Sequence, residues 1–414
     1  MKFILEELKD RGLLKQVTNE EKVKNAQETN AGVYCGFDPT ADSLHIGHLI
    51  QLINLKRFGE HGFSPIAIIG GATGMIGDPS FKSQERQLLT LEQVGENVKA
   101  IEKQIKGLVP NVKIANNADW LSTMSLIDFL RIIGKDFNLA YLLAKDNIAS
   151  RIEKGLSITE FSYTMLQGYD FFNLYEKFNC TVQIGGSDQW GNITSGTDYI
   201  ASKIGRENSK ACGITMNLLT KKDGVKFGKT EGGAIWLDAN KTNEYEFYQF
   251  FINQEDQDLE TLFNYLTVLP VEEIKSILEE HNKEPFKRLG QKRLAQEVTT
   301  WVHGQKGYER AIYITQAIFS GKLAELNSED LKIVIQAIPN SKAKADLSII
   351  EFLVESKIAS SNREARELIR DKAITILEQN EFTEQDSVGK KFSSLENIVI
   401  VKKGKRKYYS VELI

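Results

Sequence analysis

Three short segments carry side chains whose types and spacing suit chemistry on a polyphosphate. The first is His45-Ile46-Gly47-His48. Its histidines sit three apart at the start of a predicted helix, so they share a face. Gly47 leaves no side chain between them, which lets a flat group approach the backbone. A helix N-terminus also attracts anions through its unpaired N–H groups and its dipole. The second segment is Lys226-Phe227-Gly228-Lys229-Thr230, inside residues 220–233. Lys221, Lys222, Lys226 and Lys229, interleaved with Gly224, Gly228, Gly232 and Gly233, make a cationic loop able to close over a triphosphate. The third is Gln183-Ile184-Gly185-Gly186-Ser187-Asp188-Gln189-Trp190. Glycines at a strand end admit a ligand to the backbone, and an adjacent Asp accepts from ribose hydroxyls in other nucleotide folds. Taken singly, each segment has a plainer reading: surface histidines, an exposed basic turn, a tight strand-to-helix turn. The chain lacks G-x-x-x-x-G-K-[ST] and H-E-x-x-H, so it is neither a P-loop ATPase nor a zincin.

The elements that must position these segments follow from periodicity. Residues 33–37 and 63–69 are apolar runs ending in Asp38-Pro39 and Gly70-Gly71, and read as strands. Residues 181–184 form another. Leu49, Leu52, Ile53 and Leu55 recur at helical spacing, and residues 1–30, 86–108 and 122–145 are predicted helical. Strands alternating with helices predict a doubly wound, mostly parallel α/β sheet, with the ligand site outside its C-terminal strand ends. The loops 36–48, 70–80 and 185–190 meet there on this reading. After Asp238 the pattern turns helical through residue 320, residues 326–344 read as a linker, and 345–414 form a last small unit.

A length of 414 residues predicts two or three domains, with 41% hydrophobic and 26% charged residues typical of a soluble globular protein. The net charge of −4 makes the whole no polycation. Cys35, Cys180 and Cys212 are widely separated and form no metal or disulfide pattern, which suits a reducing compartment. The start of the chain resembles neither a signal nor a transit peptide, and the charge-free run 65–77 is too short to span a membrane. The expectation is a soluble cytoplasmic protein with no membrane partner.

Residues 341–414 hold fourteen Lys and Arg against twelve Asp and Glu. Lys402, Lys403, Lys405, Arg406 and Lys407 cluster, and Ser361-Asn362-Arg363-Glu364 fits a capping box. Arg363, Arg366 and Arg370 then share a helical face. Such a stripe is either a solvated surface or, together with the basic hairpin, a surface for a phosphate backbone.

Together and in this order, the three segments resemble the class I aminoacyl-tRNA synthetases, and among them the bacterial-type tyrosyl-tRNA synthetases. The HIGH motif stands as residues 45–48. The KMSKS motif stands as residues 226–230, with Phe for Met and Gly for the first Ser, both lysines kept. The strings Tyr34-Cys35-Gly36-Phe37-Asp38-Pro39-Thr40, Gly70-Gly71-Ala72-Thr73-Gly74 and Ile76-Gly77-Asp78-Pro79-Ser80 also match, and the likeness covers essentially the whole chain.

The resemblance implies activation of L-tyrosine by ATP, then transfer to tRNA(Tyr). Tyr34 and Asp170 would meet the phenol hydroxyl, Asp78, Tyr163 and Gln167 the α-ammonium, and Gln189 the carboxylate. Cys35, Gly36, Asp38, Gly47, Gly186 and Asp188 would line the ATP site. Thr40 and His45 would meet the transition-state phosphate and His48 the ribose. Lys82, Arg86, Lys226, Lys229 and Thr230 would grip pyrophosphate. Magnesium is expected with ATP, with no tightly bound protein metal. The organisation implied is a Rossmann-like catalytic domain over 1–222 with a dimer-forming insertion at 118–160, the mobile loop 223–234, an all-helical anticodon-region domain over 235–325, the linker, and an α+β RNA-binding domain over 345–414. The alternatives are a same-fold ligase for another amino acid such as tryptophan, and an RNA-binding protein that has lost catalysis. An indole offers a donor but no acceptor, against Tyr34 with Asp170.

Overall fold

The computed structural model describes residues 2–78, 89–145, 148–149, 152, 155–220, 227, 229–230, 233–320, 322–376, 379, 381–384, 386–388, 397–404 and 407–414. The chain divides into two compact units, residues 1–242 with 251–302, and residues 243–250 with 303–414.

The first unit is built on a six-stranded sheet ordered β1-β6-β5-β2-β3-β4. The strands are β1 (Leu14–Val17), β2 (Gly32–Phe37), β3 (Ser64–Ile69), β4 (Lys113–Asn116), β5 (Cys180–Gly186) and β6 (Cys212–Met216). Every pairing is parallel except that of β1 with β6. Of the inner strands, β5 and β6 are buried throughout, and β2 and β3 at all but one residue each, as a sheet covered on both faces requires. From β2 the chain winds outward to β3 and β4, then returns to β5 on the other side of β2. The crevice between β2 and β5 is therefore the switch point at which such sheets bind ligands.

Among the helices of this unit are α1 (Ile4–Asp10), α2 (Glu20–Glu28), α3 (Ile46–Glu60), α4 (Leu91–Leu108), α5 (Ile158–Phe178) and α6 (Trp190–Ile204). The helical expectation for residues 1–30 misses β1, a four-residue edge strand whose sequence, Leu-Lys-Gln-Val, has too few alternations to stand out. The expected single helix over 122–145 is instead a series of short turns, including a π-turn at Phe129–Ile133 and a helix at Leu139–Leu143. Leu126, Ile127, Leu130, Leu139 and Tyr141 in this segment are all at least half exposed.

Residues 251–302 belong to this unit rather than to a separate helical domain. The fully buried Arg57 of α3 explains why. Its guanidinium donates to Asn54 Oδ1, to Asn264 O at 3.1 Å and to Thr267 O at 2.8 Å. Arg11 likewise donates to Leu269 O. No described helix is long and apolar enough to cross a membrane.

In the second unit the expected linker is structured. It forms α7 (Ser328–Ala337) and β7 (Asn340–Ala343), and β7 pairs in parallel with β9 (Lys407–Leu413). β8 (Ile398–Lys403) lies on the other side of β9. Pro339 lies in the short turn between α7 and β7, and Asn340 and Ser341 open the strand. Ile333, Val334 and Ile335 pack into a buried cluster with Ile400 and Tyr408, so the segment completes a core.

Candidate functional site

A cleft of about 470 Å³ opens at the C-terminal ends of β2, β3 and β5. All three expected loops line it: Gly36, Asp38, Thr40, His45, Gly47 and His48 from the first, Gly70, Thr73 and Asp78 from the second, Gly186, Asp188 and Gln189 from the third. Tyr34 and Cys35 on β2, and Tyr163, Gln167 and Asp170 on α5, complete the expected set. Spacings of four and three on α5 bring its three side chains to one face.

His45 is the N-cap of α3. Its Nδ1 accepts from Gly47 N–H at 3.0 Å, and His48 Nδ1 accepts from His45 N–H at 3.1 Å. The two rings thus form a reciprocal capping box, with centroids 4.0 Å apart. Because both Nδ1 atoms accept, a neutral ring at either position carries its proton on Nε2. Gly47 is needed for a reason other than ligand approach: a Cβ there would lie 2.8 Å from His45 Cε1. The chain leaving the cationic loop is pinned to this motif. Ile46 N–H donates to Ile235 O at 2.8 Å, and Leu237 N–H to Leu44 O at 2.9 Å.

Asp170 is buried, and its two oxygens accept from Trp120 Nε1–H at 2.7 Å and Asn117 Nδ2–H at 2.9 Å. Burial raises its pKa to about 7 against the pull of those two donors. Tyr34 is also buried, and its hydroxyl has no hydrogen-bond partner among the described residues. Burial, with the neighbouring Cys180 and Asp170, pushes that phenol well above its usual range. Leaving a buried hydroxyl unpaired costs roughly 1–3 kcal/mol, so a group able to hydrogen-bond with it is favoured at the cleft floor.

Farther out, Asp38 accepts from Thr73 Oγ1–H and Tyr163 Oη–H, both at 3.3 Å. Asn117 Nδ2–H also donates to Thr73 Oγ1 at 2.9 Å, linking this pair to Asp170. Gln189 Nε2–H donates to Asp78 Oδ2 at 2.7 Å, and Gln167 Oε1 is buried without a partner among the described residues. Burial raises the Tyr163 phenol, and Asp38, Asp78 and Asp170 add to the effect. Three aspartates around one phenol make a place that favours a cation. Cys35 remains a neutral thiol: burial lifts its pKa to about 12, and its Sγ lies 3.4 Å from Gln51 Oε1.

Asn117, Trp120, Thr73 and Gln51 were not singled out from sequence. Asn117 follows β4, a strand whose alternation is masked by Lys113 and Asn116. With β4 recognised, a residue just past the C-terminal end of a parallel strand would have been a candidate. Lys82, Arg86 and Lys226 lie outside the described residues. Lys229 and Thr230 are placed only as a short strand facing Gly233–Ala234.

In the second unit, Arg363, Arg366 and Arg370 are exposed, and each meets an acid: Glu367 at 3.2 Å, Glu384 at 3.2 Å and Asp371 at 3.1 Å. Lys403 is half-buried and donates to Ile358 O and Glu364 Oε1, holding the Glu364 carboxyl down at about 2. Its role in the fold is therefore to tie the hairpin to the helix Asn362–Arg370. Ser361 caps that helix, but Glu364 reaches back to Ser360 N–H, one residue earlier than a capping box requires. Lys402 lies 5.5 Å over the Tyr408 ring and Lys407 is exposed. Lys405 and Arg406 are outside the described residues.

Known proteins resemble the chain in sequence and fold. Residues 26–320 match the family of class I tRNA synthetases for tryptophan and tyrosine, and residues 330–411 match the C-terminal domain of SYY-like tyrosine–tRNA ligases. The chain is 56% identical over 410 residues to the tyrosine–tRNA ligase of Mycoplasma capricolum, spanning 99% of this chain and 98% of that one. It is 49% identical over 422 residues to tyrosine–tRNA ligase 1 of Bacillus subtilis, spanning 99% of both. The C-terminally truncated mitochondrial tyrosyl-tRNA synthetase of Aspergillus nidulans superposes with a TM-score of 0.69 at 29% identity, over 77% of this chain and 95% of that one. With a family match across most of its length and full-length relatives near half identity, the chain belongs to the class I aminoacyl-tRNA synthetases, in the branch that holds the tyrosine and tryptophan enzymes.

Proposed function

We propose that the chain is a tyrosine–tRNA ligase. It joins L-tyrosine to ATP as tyrosyl-adenylate, releases pyrophosphate, and passes tyrosine to the 3′ end of tRNA(Tyr). The observation that carries the substrate assignment is the unpartnered Tyr34 hydroxyl beside the Asp170 carboxylate at the cleft floor. A phenol donates to Asp170 and accepts from Tyr34, satisfying both. Phenylalanine leaves the Tyr34 hydroxyl unpaired and brings Asp170 no further donor, and an indole N–H can serve only the carboxylate. Asp78, Tyr163 and Gln167 hold the α-ammonium among negative charge, and Gln189 meets the carboxylate.

No general base is required, because the tyrosine carboxylate is ionised at neutral pH. One of its oxygens bonds to the α-phosphorus, and the α–β phosphoanhydride bond breaks with its electrons leaving on pyrophosphate. Catalysis is then alignment and charge stabilisation. Thr40 and His45 meet the α-phosphate. His48, Cys35, Gly36, Asp38, Gly47, Gly186 and Asp188 surround the nucleoside. Lys82, Arg86, Lys226, Lys229 and Thr230 neutralise the departing pyrophosphate. Asp38 and Asp78 already accept from Thr73, Tyr163 and Gln189, so magnesium arrives with the ATP substrate, carried on its phosphates.

The exposed apolar side chains between Leu126 and Ile158 form a surface that a monomer rarely leaves in water. A second copy of the chain covers it in our reading. The basic residues of the second unit, Arg363, Arg366, Arg370, Lys402, Lys405, Arg406 and Lys407, face tRNA, with Lys403 holding their hairpin in place.

The test is pyrophosphate exchange into ATP with each of the twenty amino acids. Exchange with tyrosine alone is expected. Exchange with tryptophan instead would overturn the Tyr34 and Asp170 assignment, and none at all would favour an RNA-binding protein without catalysis. Tyr34→Phe is expected to lower tyrosine-over-phenylalanine selectivity roughly tenfold, the value of one hydrogen bond to the hydroxyl. An unchanged ratio would remove Tyr34 from recognition.

A further inference from the structure

Lys145 is a buried lysine that nothing above uses. It is 9% exposed and follows the short helix Leu139–Leu143 of the insertion. Lysines are almost never so buried unless paired. Its Nζ donates to Gly191 O at 2.9 Å and to Thr194 Oγ1 at 2.8 Å. It also lies 4.6 Å above the Tyr141 ring, whose hydroxyl donates to Asp198 Oδ2 at 2.9 Å. Burial lowers the ammonium to about 8, while Asp198 pulls it back upward.

Both acceptors belong to the first turn of α6. Asn192, on the same turn, donates from Nδ2 to Gln189 Oε1 at 3.1 Å and accepts from Thr164 Oγ1–H at 2.8 Å. Gln189 in turn donates to Asp78. One helical turn therefore carries the insertion's ammonium and also anchors the polar pair that faces the cleft. Burial on this scale costs a cation several kcal/mol unless its hydrogen bonds are well made, so the contact has few alternative geometries.

We propose that Lys145 is a positioning residue for amino-acid activation: by fixing the first turn of α6 it sets the Gln189–Asp78 pair that receives the α-amino and carboxylate groups. The inference rests on the tyrosine–tRNA ligase reading. It makes the insertion part of the amino-acid site as well as an apolar surface.

The test measures KM for tyrosine, KM for ATP and kcat in pyrophosphate exchange for the unaltered chain, Lys145→Met, Lys145→Arg and Thr194→Val. Lys145→Met is expected to raise KM for tyrosine roughly tenfold, the loss typical of hydrogen bonds from a charged donor. KM for ATP and kcat stay within about twofold, the pattern of lost substrate binding rather than lost transition-state contacts. Lys145→Arg recovers most of the loss, because a guanidinium donates to the same two acceptors. Thr194→Val moves KM for tyrosine in the same direction by less. An unchanged KM for tyrosine, an equal rise in both KM values, or no recovery in a folded Lys145→Arg variant would overturn the proposal. Should Lys145→Met not fold, an unchanged KM for tyrosine in Thr194→Val overturns it alone. If the unaltered chain uses another amino acid, the ligase reading fails and the same comparison is made with that amino acid. Absence of exchange with every amino acid overturns both.

Discussion

Asp170 and Arg370 are both charged side chains on helices, yet their surroundings share almost nothing. Asp170 is buried, holds two protein donors, and has a pKa lifted to about 7. Arg370 is 73% exposed, and its partner is Asp371, the next residue in the chain. In the cleft unit, polar groups are desolvated and organised before a ligand arrives, so each bond there is expensive to lose. In the C-terminal unit, the cations sit in water among acids, where pairs are worth about 0–1 kcal/mol and salt screens them. The first arrangement suits recognition of one small molecule by hydrogen bonds. The second suits a weak, extended electrostatic contact with a polyanion.

The largest expected effect lies in the cleft unit's framework. Arg57 is fully buried and spends its guanidinium on Asn54 and on two backbone carbonyls, at Asn264 and Thr267. Burial lowers its pKa to about 9. Arg57→Ala leaves those carbonyls without a donor and opens a cavity, a loss of about 3–5 kcal/mol. Arg363→Ala, at a site 89% exposed and paired only with Glu367, is expected to cost no more than about 0.5 kcal/mol. Urea unfolding of both variants measures the pair of values. Equal losses would mean that burial does not separate the two units as argued.

The next effect is on pH dependence. Asp170 accepts the substrate phenol as a carboxylate. As pH falls through about 7 the carboxylate fraction drops, and KM for tyrosine is expected to rise roughly tenfold per unit below that point. KM for ATP is expected to lack this limb. Trp120 and Asn117 both lower the Asp170 pKa, so Trp120→Phe moves the midpoint upward. The stability of the empty protein runs the other way. A carboxyl whose folded pKa is raised contributes stability at low pH and loses it as pH rises through about 7. A tyrosine KM that stays flat between pH 6 and 8 would show that the two donors hold Asp170 ionised throughout.

How much of this was legible in the sequence differs between the same two regions. The strand ends at Phe37 and Ile69 are marked by Asp-Pro and Gly-Gly, so the loops that build the cleft stand where the sequence reading put them, and the residues expected from those loops, β2 and the helix Ile158–Phe178 line it. The missed elements are β1, β4 and β6, each four or five residues long and without a turn signal strong enough to bound it. Missing β4 also hid Asn117 and Trp120, because a hydrogen bond across fifty residues leaves no local pattern. In the C-terminal unit, the composition of residues 326–344 suggested a linker, but Leu331, Ile333, Val334 and Ile335 are buried by partners distant in sequence. The Arg363, Arg366 and Arg370 stripe was visible as a face, whereas its acidic partners were not. Glu384 reaches Arg366 from eighteen residues away.

The smallest expected effect tests the exposed side of the comparison. Arg366 meets Glu384 at 3.2 Å, with both side chains more than half exposed. Arg366→Ala is expected to leave pyrophosphate exchange unchanged and to raise KM for tRNA by about two- to fivefold near physiological salt, the loss of a single phosphate contact. The increase shrinks as salt is raised, because the contact is already screened, and the slope of log affinity against log salt falls by about one. Glu384→Gln provides the sharper comparison. It frees the same arginine, so KM for tRNA moves the opposite way, downward, while stability changes by less than about 0.5 kcal/mol. Aminoacylation across a salt series reads both variants. Point variants are preferable here to truncation at residue 345, which would remove the strand that pairs β7 and strip Ile400 and Tyr408 from the core around Ile314. If Arg366→Ala and Glu384→Gln both leave KM for tRNA unmoved at low salt, this face of the helix is a solvated surface, and the basic hairpin alone carries the RNA contact.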